Sequence, residues 1–286
     1  MSYGLRAFAA SVLCLVCALA NAADEAPEHV TPPAPILTPT GETAPAQVYR
    51  ADTTPARGRL LVDTTLNGVT PYPFLVDSAL HVPVLDTSVA EYLGLSEEEH
   101  PRPESPAKAM TGFGAGVARA ETFAFAGIEP QAATFVLADL TPLSERIGTR
   151  VAGLLPAHQP GLEITLDYAA PAVTWHSLTE MARDPTAENV LPLEVAQDGA
   201  PVVQLEISGK QRKPFRLDTA RREGLGIPEA GLREMDALGP EASQLHIDWP
   251  GGGEAVQVRI DVLRLGGTLL KRPVCALLDD NAQAFV

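Results

Sequence analysis

Two short stretches constrain this chain more than any other feature: Pro73-Phe74-Leu75-Val76-Asp77-Ser78-Ala79 and Pro214-Phe215-Arg216-Leu217-Asp218-Thr219-Ala220. Each reads as a short strand that ends abruptly in an acid, a hydroxyl and a small residue. An unpaired carboxylate at the end of a buried strand is costly. The acid is therefore at the surface, hydrogen-bonded, or present for chemistry. Each stretch follows a two-residue turn signal, Asn67-Gly68 or Ser208-Gly209, whose glycine precedes the aspartate by nine residues. The correspondence continues downstream. Leu263-Arg264-Leu265-Gly266-Gly267 matches Phe123-Ala124-Phe125-Ala126-Gly127, and Val274 to Asp279 matches Thr134 to Asp139. The offset is 141 at the aspartates and 140 beyond the glycine-rich tips, so one gap reconciles the copies. This pattern predicts a duplicated unit that contributes one carboxylate per copy.

Abundant Pro (26) and Gly (23) favour strands and turns over long helices. The N-terminus has the form of a secretory signal: Arg6, an apolar run from Phe8 to Ala20, and Ala20-Asn21-Ala22 as a cleavage pattern. That run is too short for a spanning helix; a retained anchor is the other reading. Cleavage after Ala22 removes Arg6 as its one charged residue and takes the net charge from −15 to −16. Such an acidic chain is a poor partner for nucleic acid or anionic lipid. Of three cysteines only Cys275 stays, so no intrachain disulfide forms, in keeping with a periplasmic or secreted location. Residues 23–50, with Pro32, Pro33, Pro35, Pro39 and Pro45, read as a flexible tether or a plain disordered tail.

Further along, Asp86 or Thr87 is placed to cap a short helix, Ser88 to Leu93, closed by Gly94. Met110-Thr111-Gly112-Phe113-Gly114-Ala115-Gly116 is a glycine-rich tip between two strand-like arms. Val117 stands where a dinucleotide fingerprint needs its third glycine. A mobile hairpin lid is the functional reading and an ordinary loose hairpin the bland one. Gly251-Gly252-Gly253 occupies the matching place in the second copy. Ile164 to Tyr168 and Ala172 to Trp175 close the first half as a hairpin, whereas the second copy stops at Val286 without counterparts of that hairpin or of Val151 to Leu155. The histidines show no metal-ligand spacing, and Cys275 in an apolar strand pattern reads as core.

In the order acid strand, glycine-rich lid, apolar turn, the chain resembles the retropepsin-like aspartic proteases, and more narrowly a periplasmic bacterial member. The resemblance covers residues 55 to 180 well and 186 to 286 as a fainter copy. Asp77-Ser78-Ala79 and Asp218-Thr219-Ala220 fill the family's Asp-Thr/Ser-Gly motif. Gly112 to Gly116 corresponds to the flap, and Leu154-Leu155-Pro156 stands where two apolar residues and a glycine would be, with Pro replacing Gly. The resemblance implies a mostly-β fold of two similar lobes of the closed-barrel type, the second truncated. It also implies catalysis by Asp77 and Asp218, supporting hydroxyls on Ser78 and Thr219 that bond across the lobes, a substrate-binding flap at Gly112, Phe113 and Gly114, and no metal or cofactor. Two carboxylates held close share one proton, so one serves as base on a water while its partner is the acid.

Ala79 and Ala220 each add a methyl where the family has glycine, and Leu80 and Arg221 are unusual followers. A cation at Arg221 would favour the doubly ionised pair. The expected organisation is a signal peptide over 1–22, a Pro-rich linker over 23–50, a first lobe over 51–182 and a truncated second lobe over 186–286. That second lobe is completed by a strand from residues 36 to 50, by a second chain, or not at all; in the last case two first halves supply an Asp77–Asp77 pair in a homodimer. The expected partner is a protein or peptide, with no stable membrane insertion after signal cleavage. The function expected is aspartic endopeptidase; the alternatives are a peptide-binding module on a protease fold that has lost the chemistry, and an unrelated duplicated β protein.

Overall fold

The computed structural model describes residues 15–16, 47–95, 97–98, 116–177, 191–196, 200–209, 212–220, 225–234, 237, 245–248 and 254–278. Within them the chain is mostly β, with three short helices, Thr87–Tyr92, Thr141–Ile147 and Glu229–Glu234.

The first hairpin joins Arg59–Leu66 to Val69–Asp77. Its turn residues Asn67 and Gly68 have φ of 47° and 78°, the left-handed pair that a two-residue hairpin loop requires. The outer half of Val69–Asp77 is exposed and its last four residues are buried, so the strand dives into the interior as it reaches the acid. From there the sheet closes on itself. Val69–Asp77 pairs in parallel with Gly153–Pro156, which lies antiparallel to Val84–Asp86. Val84–Asp86 runs parallel to Gln131–Ala138, which pairs antiparallel with Val117–Phe125. Val117–Phe125 returns to Arg59–Leu66 through Thr64↔Phe125 and Leu66↔Phe123. These six strands form a closed barrel. Its interior is filled by Phe74, Phe123, Phe125 and Phe135, with neighbouring ring centroids 5.2–6.1 Å apart, spacing at which edge-to-face contact adds to burial.

Gly153 is the position where the barrel tolerates no side chain. A Cβ there would lie 2.3 Å from Cε1 of Phe74 and 2.6 Å from the carbonyl oxygen of Val84. The resemblance puts a glycine of the apolar turn three residues later, where this chain has Pro156. Proline is accommodated there because the ladder bond to the Asp77 carbonyl comes from the next residue, the N–H of Ala157, at 2.8 Å.

Asp86 caps the first helix by accepting from Ser88 N at 3.0 Å. Its second oxygen accepts from Leu140 N at 2.8 Å, which ties the helix start to the end of the neighbouring strand Gln131–Ala138. Leu162–Asp167, Ala172–Ser177 and Val48–Asp52 make a separate three-stranded sheet. Trp175 in its middle strand packs on Phe125 and donates to the Ala157 carbonyl at 3.2 Å. Residues 48–50, read from sequence as the end of the tether, are therefore strand. Val48–Asp52 completes this first-half sheet through Ala172–Ser177; it adds no strand to the second half.

The second large sheet starts from the hairpin Pro201–Ile207 and Arg212–Leu217, whose turn residues Ser208 and Gly209 have φ of 53° and 68°. Leu225–Pro228 runs parallel to Val274–Leu278. Glu254–Arg259 pairs with Val274–Leu278, and Val262–Leu265 pairs back on Pro201–Ile207. A two-residue strand, Leu15–Val16, lies between Arg212–Leu217 and Leu225–Pro228. Phe215, Leu205, Ile227, Leu232 and Val258 form the core of this half, together with Cys275, whose thiol burial pushes up to about 12. A group that stays protonated in a core is a packing residue, as its apolar strand pattern suggests.

Gly153→Ala is expected to destabilise the protein by about 1–3 kcal/mol, the range for overpacking a rigid site. Gly226→Ala is expected to cost less, because the atoms it would meet are the flexible end of the Leu278 side chain at 3.0–3.2 Å. Urea unfolding of both variants measures the difference; equal losses would place the constraint elsewhere.

Candidate functional site

Both acids are buried: Asp77 is 2% exposed and Asp218 is 8% exposed. Asp77 ends the strand Val69–Asp77 and Asp218 directly follows Arg212–Leu217, where the chain turns out of the sheet. The two turns have the same local geometry. Ala79 N donates to Oδ1 of Asp77 at 2.7 Å, and Ala220 N donates to Oδ1 of Asp218 at 2.9 Å. An aspartate accepting from the N–H two residues on stabilises a tight turn without other help.

The hydroxyls that follow the acids tie the two turns together. Ser78 Oγ donates to the Leu217 carbonyl at 2.7 Å and accepts from Thr219 N at 3.1 Å. Thr219 Oγ1 donates to the Val76 carbonyl at 2.8 Å and accepts from Ser78 N at 3.0 Å. Each hydroxyl thus donates and accepts across the seam. The four bonds place the backbones before and after both acids in fixed register. Separated by 141 positions in sequence, the two turns become one unit.

That unit sets the charge state of the acids. Burial pushes the Asp77 carboxyl well above the usual carboxylate range, and the Asp218 carboxylate nearby pushes it further. The Ala79 N–H and the Arg216 guanidinium pull it partly back. A buried acid beside a second carboxylate resists ionisation on both counts. Folding therefore favours the protonated form of Asp77. The cost appears as pH rises through the unfolded-state pKa of about 3.9 and grows until the raised folded value is reached.

Other residues singled out in the sequence fall differently. Gly112, Phe113, Gly114 and Arg221 lie outside the described residues. Ala79 is half-buried, and Leu80 is buried in a core cluster beneath the turn. Ala220 is 5% exposed and belongs to that same cluster, among Leu61, Leu75 and Leu80 of the first half. Arg59, the first residue of the strand Arg59–Leu66, is 1% exposed. Its Nε donates to the Ala220 carbonyl at 2.6 Å and its Nη1 to the Arg57 carbonyl at 3.3 Å. No pattern marks it, because an arginine opening a strand is ordinarily solvated.

No protein-family model matches the chain, and no curated protein matches it. Among solved structures, it is similar to a retropepsin-like aspartic protease from Rickettsia conorii at 14% identity, over 46% of this chain and 92% of that one, with a TM-score of 0.30. It is also similar to Basic 7S globulin from soybean at 9% identity, over 79% of this chain and 80% of that one, with a TM-score of 0.37. Both likenesses are distant; the two acids and their bonds are what bear on function.

Thr219→Val removes the hydroxyl that serves both Ser78 N and the Val76 carbonyl, and is expected to cost about 1–3 kcal/mol in denaturant unfolding through the unpaired groups it leaves. Asp77→Asn keeps an acceptor for Ala79 N but removes the titration. Its stability is expected to exceed wild type at neutral pH, with the advantage shrinking to nothing below about pH 4. Thermal unfolding of both proteins across pH 3–8 tests the sign; a variant equally offset at every pH contradicts the raised carboxyl.

Proposed function

We propose that this chain is an aspartic endopeptidase with two similar retropepsin-like lobes, in which Asp77 and Asp218 of one molecule share a proton and hydrolyse an extended peptide. The observation that carries this reading is the reciprocal bonding of Ser78 and Thr219, which joins the two acidic turns across the halves. The raised Asp77 carboxyl supports it, because a shared proton is what the chemistry uses. The duplicated lobes are supported by the matching turns and by the parallel pairs Val84–Asp86 with Gln131–Ala138 and Leu225–Pro228 with Val274–Leu278.

In this mechanism a water lies between the carboxyls. The ionised acid takes a proton from the water as its oxygen bonds to the scissile carbonyl carbon. The protonated acid gives its proton to the carbonyl oxygen, forming a tetrahedral diol. Collapse of the diol breaks the C–N bond as the amine takes up a proton from the first acid, and a diol hydroxyl returns one to the second. The pair titrates as a unit. Gly112, Phe113 and Gly114 belong to the proposal as a flap over the peptide, which would bind in extended form by edge-strand hydrogen bonds. The leader-like run Phe8 to Ala20 supports an exported, periplasmic setting; on this reading cleavage vacates the place that Leu15–Val16 takes between Arg212–Leu217 and Leu225–Pro228 in the full chain.

The test is a protease assay with unfolded protein substrate at mildly acid pH. Wild type is expected to cleave, and Asp77→Asn and Asp218→Asn are each expected to lose about 10²–10⁴-fold in turnover while remaining folded. Cleavage that persists in Asp77→Asn removes the two-acid mechanism. Peptide binding by wild type without turnover assigns the groove to recognition instead, the role that the extra methyls of Ala79 and Ala220 would suit.

A further inference from the structure

The second acidic turn is held by more than the two hydroxyls. Among the described residues, Ala220 is the second half's one member of a core cluster otherwise made of first-half residues, Leu61, Leu75, Leu80, Val84 and Leu154 among them. The carbonyl of the same residue accepts from the buried guanidinium of Arg59, at 2.6 Å. The N–H of the same residue donates to the Asp218 carboxylate, at 2.9 Å. One alanine therefore has its side chain in the first-half core, its carbonyl on a first-half cation and its amide on the second acid.

From this geometry we infer that Arg59 is a positioning residue for Asp218, and that Ala220 is the plug through which the first barrel aims the second acid. The arrangement is one-sided. The first turn's corresponding alanine, Ala79, is only half-buried, whereas Ala220 is buried. A buried, charge-assisted bond to a backbone carbonyl is short and directional. It acts on the peptide that follows Cα of residue 220, which only that residue's φ and ψ separate from the amide that holds Asp218. The methyl prevents that residue from sliding, since the cluster is close-packed around it. Alanine in place of glycine thus has a use here: it trades backbone freedom for an anchor. Arg57, whose carbonyl accepts from Arg59, also donates from Nη1 to the Arg146 carbonyl at 2.9 Å. The cation that grips Ala220 is thereby referenced to the rim of the first barrel.

This inference rests on the proposed pairing of Asp77 with Asp218, and its test is independent of peptide cleavage. Carboxyl carbons of both aspartates, labelled with ¹³C, are titrated by NMR in full-length wild type, Arg59→Met, Arg59→Lys and Ala220→Gly. The readout is the separation between the two titration midpoints, which measures how strongly the acids feel each other. Loss of the Arg59 charge alone would move both midpoints upward together and leave their separation unchanged. Loss of positioning narrows the separation. Narrowing is expected in Arg59→Met and in Ala220→Gly, with recovery in Arg59→Lys, whose ammonium still donates. Where cleavage is measurable, kcat is expected to fall by about 10²-fold in Arg59→Met at nearly constant KM, as for a misplaced reacting group. An unchanged separation in folded Arg59→Met, with only a lower melting temperature, overturns the positioning role. Should Arg59→Met fail to fold, Ala220→Gly decides by the same readout. An absence of cleavage in wild type removes the protease reading and leaves the titration result to stand or fall by itself.

Discussion

Two buried acids on turns that are hydrogen-bonded to each other are the constraint on which this structure turns. Their mutual repulsion and their desolvation both work against folding, so the surroundings must hold them together. The surroundings do so with neutral, short-range bonds: Ser78 and Thr219 exchange hydrogen bonds with each other's backbones and with the strands before the acids. Such bonds are individually worth about 1 kcal/mol net, but they cannot be broken singly without leaving a buried partner unpaired. Their rigidity, more than their sum, fixes the acids.

That rigidity is inherited from the barrel beneath. The Asp77 strand is flanked on its inner side by Gly153–Pro156, in register from Phe74 to Asp77. The approach of those strands is limited by the Phe74 ring, which occupies the space a side chain at residue 153 would need. The closed sheet leaves the barrel's strands no free edge along which the acid strand could slip. Proline at 156 is compatible because Ala157 makes the final ladder bond.

The two halves do not contribute alike. The first half supplies a closed barrel and the core into which Ala220 inserts. The second supplies an acidic turn that leans on that core. An asymmetric pair of this kind divides two tasks between its members: one acid is set by its own barrel, the other is set by contact with its neighbour's.

The amino-acid sequence by itself determined the strand-turn-acid units, their spacing and their turns. These are local matters: Asn67-Gly68 and Ser208-Gly209 take left-handed conformations wherever they stand in a hairpin, and apolar runs bounded by an acid form strands that end there. Sequence also marked Ser78 and Thr219, since a hydroxyl beside an acid is visible in any strand-end pattern. Tertiary structure alone decided three things. It assigned Val48–Asp52 to a sheet with Ala172–Ser177, because strand pairing across more than a hundred residues leaves no local trace. It made Gly153 a tight position, because the need arises from the Phe74 ring packed against it. It buried Arg59 under Ala220, because a backbone carbonyl from the other half of the chain can accept from that guanidinium only once the halves have met.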